Sequence, residues 1–284
     1  MPGRLSSYEF ESPAGPWRLW TWAPSPDLAH AVSSLWATEA GTVAFSERVI
    51  ARQTVELMIN LAQPQFAQCG DGERKQFRRA WVSGLQQSPI EISSPTPPRL
   101  IAASLHAALA PALLGVKGPE ITSAIIELDE ILAGEVDRLA DRLNSEATTA
   151  SRFMVFEQFL RGRLKRARLL NDTMAWAVGH TFATGGRTTA SELSRRTGYS
   201  VRYLEMAFHE HVGLSPKRLC RLVRFGRVIA ALPAQGRPDW SRIAAECGYY
   251  DQAHMHKDFR RFTGMPPGGY IRERDESNQA VIVA

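Results

Sequence analysis

Histidines and cysteines are the side chains of this chain that are best suited to metal binding or nucleophilic chemistry. Two histidine pairs, His209 with His211 and His254 with His256, are each two positions apart. Residues two apart on a helix point ~200° away from each other, so neither pair can share one metal ion. Cys247 supplies no convincing third ligand. We therefore expect no metal site.

The cysteines and the start of the chain indicate where the protein works. Cys69, Cys220 and Cys247 lie far apart without a CxxC motif, which favours a reducing compartment over a disulfide framework. No apolar run approaches the roughly 18 to 20 residues that span a bilayer. The first residues also lack an apolar signal core. We expect a cytoplasmic protein that does not enter a membrane.

Other catalytic signatures are missing from the sequence. It contains neither a GxGxxG nor a GxxxxGK[ST] phosphate loop, and no Ser/His/Asp arrangement rises above chance. Glu127, Asp129 and Glu130 form a small acidic cluster, which we interpret as the solvated start of a helix. These observations predict a protein that is not an enzyme and that uses no cofactor.

The N-terminal half offers binding chemistry of another kind. It is rich in tryptophan, and Glu56 and Asn60 interrupt its apolar run TVELMINL. Polar side chains that face inward need partners, and a small-molecule sensor requires apolar walls with a few converging polar groups. Trp36, Glu56 and Asn60 are therefore our candidate effector-pocket residues. The alternative is that the tryptophans belong to a core, as they more often do in a strand-rich shell.

The elements that position these residues change along the chain. Residues from about 8 to 105 contain β-branched and aromatic runs between Pro, Gly and Ser clusters, which predicts strands. From about Pro111, apolar residues recur at three- and four-residue intervals, which predicts helices, including one over 121–132. The last ten residues are predicted to be a frayed tail.

A repeat occupies the last hundred residues. Its anchors recur at an offset of 50 residues up to a Gly-Tyr pair and of 51 residues after it, so one residue is inserted at the turn. The polar residues differ between the copies, so the repeat preserves a shape and changes what each copy can read. The anchors are Leu193, Gly198, Tyr199, Leu204, Phe208, Gly213 and Pro216, matched by Ile243, Gly248, Tyr249, Met255, Phe259, Gly264 and Pro267.

The repeated shape is predicted to be a helix-turn-helix. In each copy a glycine stands where a helix end needs a left-handed residue, and Ser200 or Asp251 stands where the next helix needs an N-cap. Residues 216–232 read as one long helix that begins with proline and holds the copies apart. Recognition helices that enter successive major grooves must lie about 34 Å apart.

Charge divides between the two halves of the chain. Residues 1–160 carry 13 Lys+Arg and 18 Asp+Glu, a net of −5, whereas residues 161–274 carry 21 and 9, a net of +12. A basic block raises the local concentration of polyanions. Together with the repeat, this block predicts a nucleic-acid partner, although a basic block alone could be a solvated surface.

The motifs ELSRRTGYS, LEMAFHEHVGLSP, IAAECGYYDQAH and FRRFTGMPPGGYIRER, with the long linking helix, resemble the DNA-binding domain of the AraC/XylS family of bacterial transcription regulators. The resemblance covers about residues 188–274. Ser194 replaces a usual small Ala, and Gly268-Gly269 weakens the last helix. The N-terminal half is only weakly similar to the family's sensor portions.

The resemblance implies an α+β protein with a definite domain order. A strand-rich domain with following helices at 1–170 would sense an effector or dimerise, and 171–187 would be a linker. An all-α tandem helix-turn-helix domain would occupy 188–274, followed by a tail at 275–284. The implied partners are double-stranded promoter DNA, RNA polymerase, a small-molecule effector and a second copy of the chain.

The resemblance also implies the residues that contact DNA. The chemistry of four of these residues suits particular bases: Arg202 can donate two hydrogen bonds to guanine, and Gln252 can pair with adenine. Glu205 can accept a hydrogen bond from cytosine, and Met206 can contact a thymine methyl. The base-reading positions of the family fall on Arg202, Glu205, Met206, Gln252, Ala253, His254, His256 and Lys257. The residues that we expect to contact phosphate are Ser200, Lys217, Arg218, Arg221, Arg260 and Arg261. The alternative for any one of them is a solvated helix surface.

Two other functions remain open at this point. A DNA-repair alkyltransferase with a similar DNA-binding module would need a zinc-held cysteine cluster, and Cys69 stands alone in the N-terminal half. A sequence-blind architectural protein would bind specific and non-specific DNA with similar affinity. We expect an effector-responsive transcription activator.

Overall fold

The computed structural model describes residues 5–10, 15–40, 45–69, 73–94, 96–132, 134–233, 236–274 and 280–282. Its strands are β1 Leu5–Phe10, β2 Trp17–Trp22, β3 Val32–Ala40, β4 Phe45–Val49, β5 Thr54–Asn60, β6 Gln65–Cys69, β7 Lys75–Phe77, β8 Ala80–Ser83, β9 Ile90–Ser94, β10 Arg99–His106, β11 Ile125–Glu127 and β12 Ala280–Ile282. Its helices are α1 Ala110–Leu114, α2 Gly118–Ile121, α3 Glu135–Ser145, α4 Thr149–Arg166, α5 Asp172–Ala183, α6 Ala190–Thr197, α7 Val201–Val212, α8 Pro216–Ala230, α9 Trp240–Glu246, α10 Gln252–Thr263 and α11 Pro267–Glu273. The α+β class is confirmed, with a strand-rich N-terminal region and an all-helical C-terminal domain.

The strands form two antiparallel sheets. The larger sheet has seven strands in the order β1-β2-β3-β10-β5-β8-β11, and the smaller has five in the order β12-β4-β9-β6-β7. An apolar cluster joins their facing surfaces, with Phe77 and Ile90 from the smaller sheet and Trp81 and Leu100 from the larger. The N-terminal region is therefore a β-sandwich.

The interior strand β5 is buried on both faces. Val55, Leu57 and Ile59 point to one face and belong to the main core, which also contains Phe153 of α4 and Leu139 of α3. The helices therefore cover this face of the larger sheet. The alternate residues of β5 point toward the smaller sheet. A strand covered on both faces reads as a continuous apolar run rather than an alternating one.

The predicted helix over 121–132 is wrong. Ile125–Glu127 forms β11, which pairs with β8 at the edge of the larger sheet, and a single 3-10 turn at Leu128–Glu130 follows. Ser123 has a φ of 54°, so the backbone leaves the helical conformation after α2. The β-branched Ile125 and Ile126 suit an edge strand. Apolar spacing alone could not separate this strand from a helix.

The acidic cluster therefore does not begin a helix. Glu127 ends β11 and accepts a hydrogen bond from the Arg78 amide at 2.9 Å. Its pKa is raised, mainly because it is partly buried. Asp129 and Glu130 lie in the 3-10 turn that follows β11. The three carboxylates therefore belong to the end of an edge strand and the turn after it.

Both predicted connecting segments also contain regular structure. Within 171–187, Asn171 caps α5 by accepting from the Met174 amide at 2.9 Å, and α5 contacts both α6 and α8. Within 275–284, Ala280–Ile282 pairs with β4, and the remaining residues lie outside the described ranges. A helix that packs on α8 belongs with the C-terminal domain, so α5 is not a free linker.

The two regions of the protein are in direct contact. The Ala51 amide donates to the Phe262 carbonyl of α10 at 3.0 Å. On another side, α2 packs against α7, where a Cβ added at Gly118 would lie 2.2 Å from the Gly213 nitrogen. The sandwich therefore touches both copies of the C-terminal repeat. None of the described helices is both long and apolar enough to cross a membrane.

Candidate nucleic-acid interface and the adjoining cavity

The two copies of the repeat build the same backbone unit. Gly198 turns the chain between α6 and α7 with a φ of 75°, and Gly248 turns it between α9 and α10 with a φ of 81°. Both angles are left-handed, which favours glycine. Ser200 and Asp251 then cap the second helices by accepting from amides three residues ahead. Two helix-turn-helix units result.

The units end in the same way and are joined by α8. Gly213 and Gly264 terminate α7 and α10 in left-handed conformations, with φ of 86° and 75°. Pro216 then begins α8 and Pro267 begins α11, each at the first turn. Because α8 has 15 residues, it is about 22 Å long. The predicted long connecting helix is present.

Helix α7 presents its predicted base-reading residues to solvent. Leu204 and Phe208 are fully buried and anchor the helix. Arg202, Glu205 and Met206 lie on its exposed side, with Met206 60% exposed. Residues at spacings of three and four share one helix face. The structure therefore brings these three side chains together on the face opposite the core.

Helix α10 presents a mixed surface. Ala253, His254 and Lys257 are exposed, whereas Gln252 and His256 are half-buried and contact each other at 3.3 Å. Burial, and secondarily the charge of Arg260, lowers the pKa of His256. Both effects favour the neutral form of the His256 imidazole.

A further hydrogen bond fixes the start of α10. Ser241 of α9 donates to Gln252 Oε1 at 3.1 Å. Together with the His256 contact, this bond holds the Gln252 amide in place before any partner binds. A fixed amide loses less side-chain entropy on binding than a free one.

Most of the predicted phosphate contacts are available. Lys217 and Arg218 are exposed at the start of α8, and Arg260 and Arg261 are exposed on α10. Ser200 is exposed as well, and its hydroxyl oxygen accepts from the Tyr203 amide at 3.2 Å. Its hydroxyl hydrogen remains able to donate.

Arg221 is placed differently from the prediction. It forms an ion pair with Asp258 of α10, in which Nε donates to Oδ1 at 3.0 Å and Nη2 donates to the same oxygen. Asp258 is fully buried, and the Arg221 side chain is 24% exposed. A guanidinium that compensates a buried carboxylate is held inside the protein. We therefore remove Arg221 from the expected phosphate contacts.

The ion pair lies in a small buried polar cluster. Burial raises the pKa of the Tyr249 hydroxyl, and the nearby Asp258 carboxylate raises it further. The Arg224 guanidinium lies 5.4 Å from the centre of the Tyr249 ring and donates to the Gly186 carbonyl at 2.6 Å. These contacts join α8, α10 and the segment before α6 into one body.

Sequence reasoning missed Tyr250. This residue is 93% exposed between Tyr249 and the N-cap Asp251, directly before α10. It is the residue that the change of offset from 50 to 51 inserts into the second turn. Because an inserted residue has no counterpart in the first copy, the change of offset was the signal that could have identified it.

Between the two sheets lies a cavity of about 660 Å³. On its floor, a row of polar residues crosses four neighbouring strands of the larger sheet, at Ser34, Ser104, Glu56 and Ser83. The next row along the same strands contains Met58 and the indoles of Trp36 and Trp81. The predicted pair of Trp36 and Glu56 therefore lines one cavity.

Glu56 is held by three neutral donors. Trp36 Nε1 donates to Oε2 at 3.0 Å, Ser104 Oγ donates to Oε2 at 2.8 Å, and Thr54 Oγ1 donates to Oε1 at 2.6 Å. Glu56 is 5% exposed. The carboxylate is thus fixed in position on the cavity floor.

Asn60 does not belong to the cavity. Its Nδ2 donates to the Gln63 and Arg78 carbonyls at 2.7 and 3.0 Å, and its Oδ1 accepts from the Ala62 amide at 3.1 Å. These bonds fix the turn after β5. Asn60 is four residues from Glu56 in β5 and shares its face, but the sequence could not show that backbone groups satisfy the Asn60 side chain.

Helix α8 forms part of the cavity wall. Gly226, Ile229 and Ala230 line the cavity together with Arg52 and Gln53 of the segment between β4 and β5. A Cβ added at Gly226 would lie 3.0 Å from Gln53 Cδ. The cavity therefore touches the helix that joins the two helix-turn-helix units.

Potential metal-binding side chains are dispersed in the described part of the chain. Among the residues that the structure describes, no group of three or more His, Cys, Asp or Glu side chains converges to hold an ion. Cys220 and Cys247 are free and buried, and burial raises the pKa of both thiols. The Cys69 side chain falls outside the described part of the chain.

Two protein-family models match the chain. A helix-turn-helix domain matches residues 193–273, and a domain of unknown function (DUF6597) matches residues 21–127. The chain is also similar to the HTH-type transcriptional activator RhaS of Escherichia fergusonii. The two are 27% identical over 169 residues, which is 56% of this chain and 56% of that protein. The match thus spans little more than half the length of that relative.

Two solved structures show a more distant likeness. ToxT from Vibrio cholerae O395 gives a TM-score of 0.47 at 9% identity, covering 82% of this chain and 96% of that one. The AraC-like transcriptional activator CuxR gives 0.35 at 13% identity, covering 72% and 80%.

Three features of the C-terminal domain agree with one another. They are the match to a helix-turn-helix domain over 193–273, the two glycine-turned units and the long helix that joins them. Residues 193–273 therefore form a helix-turn-helix domain, in a chain that is similar to a transcriptional activator.

Proposed function

We propose that the protein is a sequence-specific DNA-binding transcription regulator whose affinity for promoter DNA responds to an effector. The observation that carries this proposal is the pair of helix-turn-helix units, which share a backbone and expose different side chains on α7 and α10. The two units would read an asymmetric site within one chain. The RhaS relative is named a transcriptional activator, and this name favours activation over repression. We propose that the protein activates by contacting RNA polymerase and that it works in the cytoplasm.

The exposed side chains supply the chemistry of base recognition. On α7, Arg202 would donate two hydrogen bonds to guanine and Glu205 would accept from cytosine, while Met206 would contact a thymine methyl. On α10, Gln252 would pair with adenine, and Lys257 would contact the neighbouring base. Each good bidentate pair discriminates by about 1–3 kcal/mol.

The remaining predicted residues complete the interface. Ala253, His254 and His256, which are also predicted to read bases, lie on the same helix as Gln252 and would face the same groove. The phosphate contacts would be Ser200, Lys217, Arg218, Arg260 and Arg261. Such contacts position a protein on DNA without reading its sequence.

The response to an effector would pass through α8. A ligand in the sandwich cavity would contact Gly226 and Ile229 of the helix that carries both units. A ligand shifts an equilibrium between domain arrangements by its difference in affinity for them. A second copy of the chain could add a further contact on DNA, and this homodimer is also part of the proposal.

Selection of binding sites from random DNA, followed by two matched variants, tests the DNA-binding role. Arg202→Ala should relax specificity at one base pair, with a loss of about 1–3 kcal/mol only on sites that carry the preferred base. Lys217→Ala should weaken binding to all sequences alike and lower the slope of log K against log salt by about 1.

Two results would contradict this role. Equal loss on every site for Arg202→Ala would rule out base reading by that residue. A selection that enriches no sequence would instead favour a sequence-blind architectural protein.

A further inference from the structure

The cavity floor carries a negative charge without a matching positive one. The hydrogen-bond partners of Glu56 are Trp36, Ser104 and Thr54, all of them neutral. No described Lys, Arg or His side chain forms an ion pair with it. A buried carboxylate that lacks a counter-ion is costly to maintain. A cationic ligand would remove that cost.

The walls beside this carboxylate suit an organic cation. Trp36 and Trp81 lie in the strand row next to Glu56 and both line the cavity, with Phe66 and Phe77 contributed by the smaller sheet. Indole and phenyl faces attract ammonium groups, most strongly where water is excluded. The same rings would bury an apolar ligand body.

A second polar group that lines the cavity lacks a hydrogen-bond partner. Gln65 of β6 is 3% exposed and lines the cavity, and its Nε2 has no hydrogen-bond partner. A buried amide donor without a hydrogen-bond partner is unfavourable. An acceptor on the ligand would satisfy it. The cavity thus offers a carboxylate on one sheet and an amide donor on the other.

The remaining charges that line the cavity are Arg52 and Glu47. Arg52 lies in the segment that faces α8, and it makes no ion pair with Glu56 among the described contacts. Glu47 lies on β4 in the smaller sheet. Two carboxylates and one guanidinium leave the lining with a net charge of −1 at pH 7, which also favours a cation.

We infer that the cavity binds an organic cation, in which an amine nitrogen pairs with Glu56, an apolar or aromatic body lies against Trp36 and Trp81, and an acceptor meets Gln65. This inference rests on the proposed function, because it names the chemical class of the effector that the cavity takes.

Three indole probes that differ mainly in charge test the inference on the full-length protein. They are tryptamine, which is a cation, tryptophol, which is neutral, and indole-3-propionate, which is an anion. Binding is measured by calorimetry and by the change in tryptophan fluorescence. We expect tryptamine to bind at least about tenfold more tightly than either of the others.

Glu56→Gln should abolish the preference for tryptamine while keeping the fold. The Gln Oε1 can accept from Trp36 and Ser104, and its Nε2 can donate to the Thr54 hydroxyl, so the hydrogen bonds of the floor survive. The melting temperature should not fall, because the substitution removes a costly buried charge and keeps its hydrogen bonds, and tryptophol affinity should change much less than tryptamine affinity. Glu47→Gln is the matched control, which removes a charge from the opposite sheet and should keep most of the preference.

Several outcomes would overturn the inference. One is equal binding of tryptamine and tryptophol, and another is a preference for tryptamine that survives in Glu56→Gln. Tighter binding of indole-3-propionate, lost in Arg52→Gln, would show an anion site instead. If no probe binds, size-graded alkylammonium ions and benzyltrimethylammonium follow, and no binding by any of them rejects the cation.

These outcomes are distinct from failure of the proposed function. The same proteins are assayed on DNA selected for binding. Site-specific DNA binding without any cation preference would keep the regulator and reject the ligand class. A cation preference in a protein that selects no DNA sequence would reject the regulator and keep the ligand class.

Discussion

Arg218 and Arg221 lie one turn apart on α8 yet meet different surroundings. Arg218 is exposed, whereas Arg221 donates to the fully buried Asp258. Both are basic residues in a basic domain, so composition gives them the same role. The difference arises from α10, which places a carboxylate against one of them. One arginine is therefore free to meet phosphate, and the other holds two helices together.

We predict opposite consequences of removing the two arginines. Arg221→Ala leaves Asp258 buried without its cation and should lower the free energy of unfolding by about 2–3 kcal/mol, less than for a fully buried pair because Arg221 is partly exposed. Arg218→Ala should change stability by less than about 0.5 kcal/mol but weaken binding to all DNA. Urea unfolding and DNA titration at two salt concentrations measure both quantities. A stable Arg221→Ala variant with weakened DNA binding would restore Arg221 to the phosphate contacts.

At the scale of elements, two glycines of the first helix-turn-helix unit are under different constraints. Gly198 turns the first unit in open space, and a Cβ there would meet no atom within 4 Å. Gly213 ends α7 where α2 packs against it, and a Cβ there would lie 1.8 Å from Thr122 Oγ1 and 2.6 Å from the Gly118 carbonyl oxygen. Both residues have positive φ, so only the second adds a steric demand to a conformational one.

Alanine substitutions at Gly198 and Gly213 should separate the conformational cost of a positive φ from the steric cost of a Cβ atom. Gly198→Ala should cost about 1–2 kcal/mol, which is the penalty of a left-handed L-residue. Gly213→Ala should cost roughly 3–4 kcal/mol, because α2 must also move away from α7. Thermal unfolding measures the difference, and faster proteolysis between the sandwich and α7 would accompany it in Gly213→Ala. Equal losses in the two variants would show that the α2–α7 contact is not tight in solution.

At the scale of the whole molecule, the cavity and the DNA-binding domain share α8. The residues of α8 that line the cavity lie near its end, while Lys217 and Arg218 lie exposed at its start. The hydrogen bond between Ala51 and Phe262 and the α2–α7 contact place the sandwich against both units. A ligand that displaces Gly226, Ile229 or Ala230 would therefore also act on the helix that joins the two units.

A side chain at Gly226 should occupy part of the cavity and weaken ligand binding beside α8. Gly226→Leu would enter the cavity next to Gln53, so we expect tryptamine binding to fall at least about tenfold while the helix itself gains propensity. Gly179→Leu is the matched control, because Gly179 also lies inside a helix and a Cβ there meets open space. Calorimetry on both variants measures the effect. Unchanged binding in Gly226→Leu would show that the ligand does not reach α8.

The sequence by itself determined the C-terminal domain almost completely. Glycine turns, N-caps and anchors three or four residues apart are local signals, and each acts within one or two helical turns. The repeat doubled those signals, so the glycine turns and the N-caps were predicted where the structure has them, and the long helix at 216–232 was predicted within two residues of its bounds. The exposed faces of α7 and α10 followed, because helical spacing decides which side chains face the core.

Only the tertiary structure decided which polar residues are used inside the protein. Asn60 is satisfied by a turn, Arg221 by Asp258 and Glu56 by three donors from neighbouring strands and its own strand. The strand β11 and the pairing of β12 with β4 likewise depend on sheet edges that are far away in sequence. Such contacts join residues that are far apart in the sequence, so local patterns cannot predict them. The recognition helices could therefore be predicted from the sequence, whereas the cavity beside them depends on the tertiary structure.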